Sequence, residues 1–245
     1  MTGTFLLTLL ILVAALLYSS VGHAGASGYL AAMALFSLPP GVMKPSALVL
    51  NLVVATVGTI RFARAGHFSW NLFWPFAVAS VPLAFIGGRL ALPIQAYKMI
   101  LGCVLLFAAW RLAFQQTAPA QAEPKPVSLP LALIFGSGIG FLSGLTGVGG
   151  GIFLSPLVLL LGWADTRKTA GVSVAFILVN SASGLLGHVA GVKNVPAEIA
   201  WWAPAALVGG LIGSELGSRR LAPMTMRRLL AVVLVVAGVK MLLPR

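Results

Sequence analysis

The stretch Ser143-Gly144-Leu145-Thr146-Gly147-Val148-Gly149-Gly150-Gly151 decides how this chain can fold. Its five glycines in the eight residues 144–151 destabilise a helix interior, because glycine loses more backbone freedom on folding than any other residue. Apolar runs precede and follow it, so the stretch predicts a break between two helices. Such a break exposes the first N–H groups of the second helix, and these groups favour an anion. Close packing of small residues between helices is the alternative interpretation.

The composition around this break is that of a membrane protein. Apolar residue types make up 59% of the 245 residues and charged types 8%, against roughly 25% charged residues in soluble domains. Such a chain cannot cover itself with polar surface, so lipid must surround most of it. The 16 Lys and Arg residues are spread between apolar runs, which indicates membrane topology and contact with anionic lipid, and not nucleic-acid binding.

Few residues in this chain could perform catalysis or bind a metal. Cys103 is the single cysteine, the three histidines lie far apart in sequence, and only four side chains are carboxylates. The glycine stretch is not a phosphate-binding loop either, because Gly151 is followed by Ile152 and Phe153 where that loop needs Lys and Ser or Thr. The sequence therefore predicts a protein that is not an enzyme and that holds neither a metal nor a cofactor.

Ten apolar segments are predicted to form helices, and most are near the roughly 20 residues that cross the hydrocarbon of a bilayer. They are 4–21, 28–38, 45–64, 70–91, 97–114, 128–145, 150–162, 168–189, 197–218 and 227–243. Segments 28–38 and 150–162 have only about a dozen residues, a length typical of re-entrant or buried helices. No Lys or Arg precedes segment 4–21, so we interpret it as a retained first helix and not as a signal peptide.

The two halves of the chain share landmarks in the same order. The matching positions are Gly22, Gly25 and Gly28 with Gly144, Gly147 and Gly150, then Trp74-Pro75 with Trp202-Ala203-Pro204, then Gly87-Gly88-Arg89 with Gly217-Ser218-Arg219. Their common order predicts an internal repeat, which is characteristic of secondary transporters. Residues 1–114 form the first membrane repeat, 115–128 a polar, proline-rich linker, and 129–245 the second membrane repeat.

The distribution of positive charge favours inverted halves. Arg219, Arg220, Arg227 and Arg228 flank one connection and predict that it is cytoplasmic. If all ten segments cross, ten basic residues lie on that side and six on the other; if the two short segments do not cross, the numbers are nine and seven. The basic residues are distributed more unequally if all ten segments cross, that is, if each half crosses five times. An odd number of crossings per half makes the two halves inverted. A topology with eight crossings, in which the two halves are parallel, remains an alternative.

Polar residues at the breaks and on the third helix of each half are candidate ligands for a small anion. His23, in the first break, is interpreted as a proton or anion ligand or as a residue hydrogen-bonded to backbone. Asn51 and Asn180 are costly in lipid and must face the interior, where they either join helices or line a polar path. The candidate substrate-binding residues are Gly25, Ser27, Asn51, Thr146, Gly147, Gly149, Gly150, Ser173 and Asn180.

Basic residues before the third helix of each half have two interpretations. Lys44, Arg167 and Lys168 could attract an anionic substrate, but the preferred interpretation is that they anchor the topology at the membrane surface.

The Gly-x-x-Gly-x-Gly-Gly-Gly pattern at 144–151 resembles the TauE/SafE family of membrane transporters, the sulfite exporters. Pro156, the small and polar helix 168–189 and a Gly-x-Arg before the last helix extend the resemblance over nearly the whole chain. It implies a multi-pass carrier of the inner membrane that exports sulfite, sulfoacetate or a related organic sulfur anion. The first half departs from the glycine cluster usual in the family, because His23 and Ser27 occupy matching places.

Three functions follow from these observations. The preferred one is a secondary transporter of a small anion, driven by a proton or ion gradient. The second is an intramembrane serine protease, since Gly25-Ala26-Ser27-Gly28 matches a Gly-x-Ser-Gly motif and His188 lies on a later helix. The third is a subunit of a larger membrane complex that transports nothing by itself. The substrate, the coupling ion, the direction of transport and the oligomeric state stay open.

Overall fold

A computed structural model describes residues 2–114, 124–189, 193, 195–219 and 224–243. Within these residues the chain forms ten α-helices and no strand. They are α1 (Thr2–Ser19), α2 (Ala26–Leu35), α3 (Pro40–Arg64), α4 (Trp70–Arg89), α5 (Ile94–Phe114), α6 (Leu129–Thr146), α7 (Gly151–Leu160), α8 (Thr166–Gly187), α9 (Ile199–Arg219) and α10 (Met224–Leu242). Each predicted segment corresponds to one of these helices. The largest shift is in α3, which begins at Pro40 and not at residue 45, because proline at the first helical position sacrifices no hydrogen bond.

The fold is that of an all-helical membrane protein, as the composition predicts. In the described residues, six helices (α3, α4, α5, α6, α8 and α9) are long and apolar enough to cross a bilayer. Large apolar side chains such as Trp110, Ile134 and Trp201 are exposed on the outside, while buried Ser, Asn and His side chains lie inside. This apolar outer surface is favourable in contact with lipid and would be unfavourable in contact with water.

Helices from the two halves pair with one another. α1 packs along α9 and α6 packs along α4, so the first helix of each half lies against the fourth helix of the other. α3 packs on α8 in the interior, and α5 packs on α10. The internal repeat itself stays a prediction, but this pairing is what two related halves would produce.

Glycines set the close spacing of these helix pairs. A Cβ placed on Gly140 or Gly144 of α6 would lie 2.3 Å or 2.0 Å from the carbonyl oxygens of Ser80 or Ala84 in α4. On the other side of the bundle, a Cβ on Gly213 of α9 would lie 2.1 Å from a carbonyl oxygen of α1. Small residues at helix interfaces in membranes allow backbones to approach closely, which is the source of packing energy where lipid offers no hydrophobic drive.

Each short helix folds back along the helix that precedes it. The end of α2 returns to the start of α1, since a Cβ on Gly3 would lie 3.8 Å from the Phe36 ring. The end of α7 returns to the segment before α6, where the Lys125 amide donates to the Gly162 carbonyl at 2.8 Å. The two glycine breaks therefore lie at the inner tips of two helix hairpins.

The α4–α6 contact should be intolerant of a single methyl group. We expect Gly144→Ala to lower the free energy of unfolding by about 1–3 kcal/mol, because the backbone of α4 cannot move aside without opening the interface. Gly138→Ala on the same helix is the matched control, because nothing lies within 4 Å of the added Cβ. Thermal unfolding of both purified variants in detergent measures the difference. Equal unfolding temperatures for the two variants would show that the contact does not limit stability.

Candidate functional site

The two breaks share one local geometry. Gly147, Gly149 and Gly150 have φ of +85°, +85° and +82°, and Gly22 and Gly25 have φ of +77° and +103°. Only glycine adopts these left-handed angles without strain. The residues before α2 and α7 are thus left-handed glycines, Gly25 and Gly150, and neither helix has a side chain that caps its first amides. Both short helices consequently begin with amides whose hydrogen-bonding capacity is not used by a cap.

His23 joins the first break to the second half of the chain. Its Nε2 lies 3.1 Å from the carbonyl oxygen of Gly151, the first residue of α7, and 3.2 Å from Ser155 Oγ. Ser155 Oγ in turn lies 2.7 Å from Ser173 Oγ of α8. All three side chains are buried, with exposures of 5%, 3% and 0% for His23, Ser155 and Ser173. We call these three residues the His23 cluster.

The His23 ring can occupy two hydrogen-bonding states. Nδ1 lies 3.1 Å from the Val21 carbonyl and Nε2 lies 3.1 Å from the Gly151 carbonyl, so a neutral ring can donate to one of these acceptors and a charged ring to both. In the neutral ring with its proton on Nδ1, Nε2 accepts from the Ser155 hydroxyl, whose other acceptor is the Gly151 carbonyl at 3.0 Å. In the charged ring Nε2 also carries a proton and donates to the Gly151 carbonyl. The protonation of His23 is therefore linked to the orientation of the Ser155 hydroxyl.

A second polar group surrounds Gly149. Asn51 Nδ2 donates to Ser181 Oγ at 3.1 Å, and a Cβ on Gly149 would lie 2.7 Å from that nitrogen. Asn51 is fully buried, close to the middle of α3, and its Oδ1 has no hydrogen-bond partner in the described part of the chain. The same is true of Ser143 Oγ, which lies beside Gly150. Buried polar atoms left unpaired cost free energy, so such atoms mark places where water or a ligand can bind.

Five of the candidate residues lie outside these two groups. Gly25 packs against the Tyr29 ring, and Gly147 packs against the Lys44 backbone. Ser27 Oγ donates to the Tyr18 hydroxyl at 2.7 Å, Thr146 Oγ1 to the Leu142 carbonyl at 2.7 Å, and Asn180 Nδ2 to the Phe176 carbonyl at 2.8 Å. These residues make contacts within their own breaks and helices, although Asn180 Oδ1, like Asn51 Oδ1, has no partner in the described part of the chain. His23, Asn51, Gly149, Gly150 and Ser173 come together around the start of α7.

The structure adds residues that the candidate set did not contain. Ser155 is the central member of the His23 cluster, Ser181 is the partner of Asn51, and Ser143 lies beside Gly150. A signal for Ser155 was present, because it is the one polar side chain in the run GIFLSPLVLL of α7. A hydroxyl alone in an apolar helix next to a glycine break indicates a buried hydrogen-bonding role.

The topology-anchor interpretation is wrong for Lys44. The side chain is 5% exposed and donates to the Gly88 carbonyl at 3.0 Å, at the end of α4, so it points into the protein and not toward lipid headgroups. Arg167 and Lys168 are exposed at the start of α8, as an anchoring role requires.

The pair of residues that a serine protease needs is not joined by a hydrogen bond among the described residues. The Ser27 hydroxyl faces Tyr18, and His188 Nδ1 lies 3.2 Å from the Gly88 carbonyl. The same part of the chain contains no three His, Cys, Asp or Glu side chains placed to hold a metal ion.

Gly149 should resist substitution more strongly than a glycine of the same backbone conformation elsewhere. Gly149→Ala would add a strained φ and a clash with Asn51 and Ile177, whereas Gly66→Ala would add only the strain, because Gly66 has φ of +77° and no atom within 4 Å of its Cβ position. We expect Gly149→Ala to be less stable than Gly66→Ala by about 1–3 kcal/mol, the range for overpacked interiors. Thermal unfolding of both variants provides the measurement. Equal losses of stability in the two variants would show that the Asn51 side chain moves aside without cost.

Comparisons with known proteins agree with this architecture. The family described as sulfite exporter TauE/SafE matches residues 7–241. A probable membrane transporter protein, y4hK of Sinorhizobium fredii, is 42% identical over 233 residues, which cover 94% of each chain. A probable membrane transporter protein of Methanocaldococcus jannaschii, MJ0441, is 27% identical over 221 residues, 85% of this chain and 82% of its own. No solved structure matches the chain.

The family match covers nearly the whole chain, and it includes both glycine breaks and the six helices of the described residues that could span a membrane. The relative from Sinorhizobium fredii aligns with 94% of the chain at an identity that implies a common fold. The chain therefore belongs to the sulfite exporter TauE/SafE family, and it is a multi-pass membrane transporter.

Proposed function

We propose that this transporter is a secondary carrier that exports a small sulfur oxyanion, sulfite or an organosulfonate. The substrate would bind at the start of α7, between the His23 cluster and Asn51. The observation that carries the proposal is the contact of His23 with Gly151 and Ser155, which joins the two glycine breaks inside the bundle. The family name supports the substrate class.

The groups around the start of α7 suit an oxyanion. Ser155, Ser173 and Ser181 offer hydroxyls, Asn51 offers an amide, and a charged His23 would add a positive charge beside them. No side chain caps α7, and the positive end of its dipole points to the same place. A pyramidal or tetrahedral anion can be held by such donors without a buried arginine.

Carboxylates that would repel an anion lie elsewhere in the described residues. Asp165 accepts from the Arg167 and Lys168 amides at the start of α8, and Glu215 pairs with Arg61. Glu198 precedes α9. Arg61, Arg64 and Glu215 line an open cleft of about 640 Å³ between α3 and α9, whose net positive charge would attract anions to the protein.

We further propose that residues 1–114 and 129–245 are inverted repeats that meet at the two breaks. The support is the exchange of partners between the halves, α1 with α9 and α6 with α4, and the two inward-pointing hairpins. Of the linker at 115–128, residues 115–123 lie outside the described residues. In transporters with inverted repeats, rocking of one half against the other opens the shared site to each side in turn.

Anion flux in liposomes containing the purified full chain tests the substrate. We expect the protein to move labelled sulfite or sulfoacetate faster than empty liposomes do. Cells that lack the protein should also retain more labelled anion than cells that express it, which tests the direction. If no flux of sulfite or of any organosulfonate is found, the substrate proposal is wrong.

The position of the site is tested with single hydroxyl deletions. Ser173→Ala should lower the affinity for the anion by about tenfold or more, the usual effect of losing one hydrogen bond to a charged group. Ser137→Ala is the matched control, because its hydroxyl donates to the Leu133 carbonyl of its own helix α6 at 2.8 Å, outside the cluster. Equal affinities for the two variants would place the site elsewhere, even if the wild type transports the anion.

A further inference from the structure

Lys44 is a buried amine whose hydrogen bonds all go to the end of another helix. It lies in the second turn of α3, is 5% exposed, and donates to Gly88 O at 3.0 Å and to Gly87 O at 3.4 Å. These are carbonyls of the last turn of α4. In the described part of the chain no carboxylate contacts it, and the acidic side chains Asp165 and Glu215 are engaged elsewhere. An ionisable group of this kind within a membrane bundle is a candidate for function.

His188 shares the acceptor of Lys44. It follows the last residue of α8, and its Nδ1 lies 3.2 Å from the same Gly88 carbonyl. Because a carbonyl only accepts, Nδ1 carries a proton and the neutral ring leaves Nε2 as a bare acceptor. Nε2 is buried and has no hydrogen-bond partner among the described residues. The amine and the imidazole thus lie within two hydrogen-bond lengths of each other, through one oxygen.

Two opposing effects act on the charge of this pair. The carboxyl ends of α4 and α8 meet here, and the negative ends of their dipoles favour a cation. Burial without a counter-ion disfavours a cation. Two positive charges around one carbonyl would repel each other, so one excess proton on the pair is favoured over two. Because the helix dipoles and the burial oppose each other, the pair can gain and lose this proton during a transport cycle.

The other titratable side chains on the surrounding helices are engaged elsewhere. Tyr97 of α5 donates to the Thr146 carbonyl at 3.0 Å, and Tyr29 of α2 donates to the Ala24 carbonyl. Arg89 of α4 is exposed and lies over the Phe85 ring. In the described residues, His188 is therefore the titratable group that faces Lys44.

Lys44 is also connected to the proposed substrate site. A Cβ on Gly147, the first left-handed residue of the second break, would lie 3.1 Å from the Lys44 carbonyl oxygen and 3.4 Å from its Cγ. Asn51 follows Lys44 by seven residues, or about two helical turns, so both side chains lie on one face of α3 roughly 10 Å apart. A movement of Lys44 toward or away from α4 would therefore displace both Gly147 and Asn51.

We infer that Lys44 and His188 form the proton-binding site that couples anion transport to a proton gradient. This inference depends on the proposed function, since it supplies the coupling ion of that carrier. In one half of the cycle the Lys44 ammonium loses one proton, through the imidazole or through water, and becomes a neutral amine. In the other half the amine takes one proton from the opposite side of the membrane. Only an N–H bond breaks and re-forms, and no electron is transferred.

Lys44→Arg is the decisive variant, because arginine keeps the cation and the hydrogen bonds to α4 but cannot release its proton. In liposomes, we expect this variant to retain measurable exchange of anion for anion at equal pH on both sides. We expect uphill anion accumulation driven by a pH gradient, and the proton movement that accompanies it, to fall by about tenfold or more.

Lys240→Arg is the matched control. Lys240 of α10 also donates to a helix-terminal carbonyl, that of Leu35 at 2.7 Å, and to Ser37 Oγ at 3.0 Å. The same substitution there should leave both exchange and pH-driven accumulation unchanged. If Lys44→Arg behaves like Lys240→Arg, with full accumulation under a pH gradient, Lys44 is only a helix cap and the inference is wrong.

A measurement without substrate separates failure of this inference from failure of the proposed function. The ¹⁵N resonance of the Lys44 amine in lipid nanodiscs, assigned by its absence in Lys44→Arg, reports the protonation state directly. We expect it to change from ammonium to amine within the pH range in which the protein stays folded, and His188→Gln to shift that change. A resonance that stays an ammonium throughout overturns the inference, whatever the flux shows. Absence of all anion exchange by the wild type would instead remove the proposed substrate.

Discussion

Lipid offers no hydrogen bonds, so a membrane chain can interrupt its helices only where the surrounding protein satisfies the exposed backbone. This constraint explains where the two glycine breaks lie. Gly147 packs against the backbone of α3, and Gly150 packs against Ile139, Phe176 and Ser143. The His23 ring approaches the carbonyl of Gly151, and Tyr97 donates to the carbonyl of Thr146. Polar side chains lie at the breaks because they can hydrogen-bond to the backbone groups exposed there. The same side chains form the candidate substrate site.

Close helix packing makes this enclosure possible. Glycines on α6 and α9 bring those helices against the backbones of α4 and α1, on opposite sides of the bundle. With these outer pairs held together, α3 and α8 are left to pack on each other in the interior, and they carry Asn51, Ser173 and Ser181. A carrier needs a rigid frame around a site that can change its exposure. Here glycine contacts between long helices form the frame, and the candidate site lies at the start of α7, beside the first break.

The two breaks are similar in backbone and different in chemistry. Each packs on the third helix of the other half: Gly22 lies against Ala170 of α8, and Gly147 lies against Lys44 of α3. The first break thus meets an apolar methyl group and contributes His23, whereas the second meets a buried amine and contributes the uncapped start of α7. If identical halves exchanged roles, the two directions of transport would be equivalent. In this chain Lys44 and His23 occupy unequal places, so the two breaks are not chemically equivalent.

Apolar runs and glycine clusters in the sequence predicted the ten helices of the described residues, their order and the two breaks. Every backbone polar group in lipid must be hydrogen-bonded within the protein, which leaves few alternatives to long apolar helices. The sequence also singled out His23, Asn51, Gly149, Gly150 and Ser173, since polar or flexible residues are costly at such places unless something uses them. Only the tertiary structure decided which of them meet. His23 reaches Ser155 across 132 positions, and Asn51 reaches Ser181 across 130. The burial of Lys44 depends likewise on where α4 and α8 end. Local patterns fix which face of a helix is polar, but the partner of that face is set by how helices distant in sequence pack together.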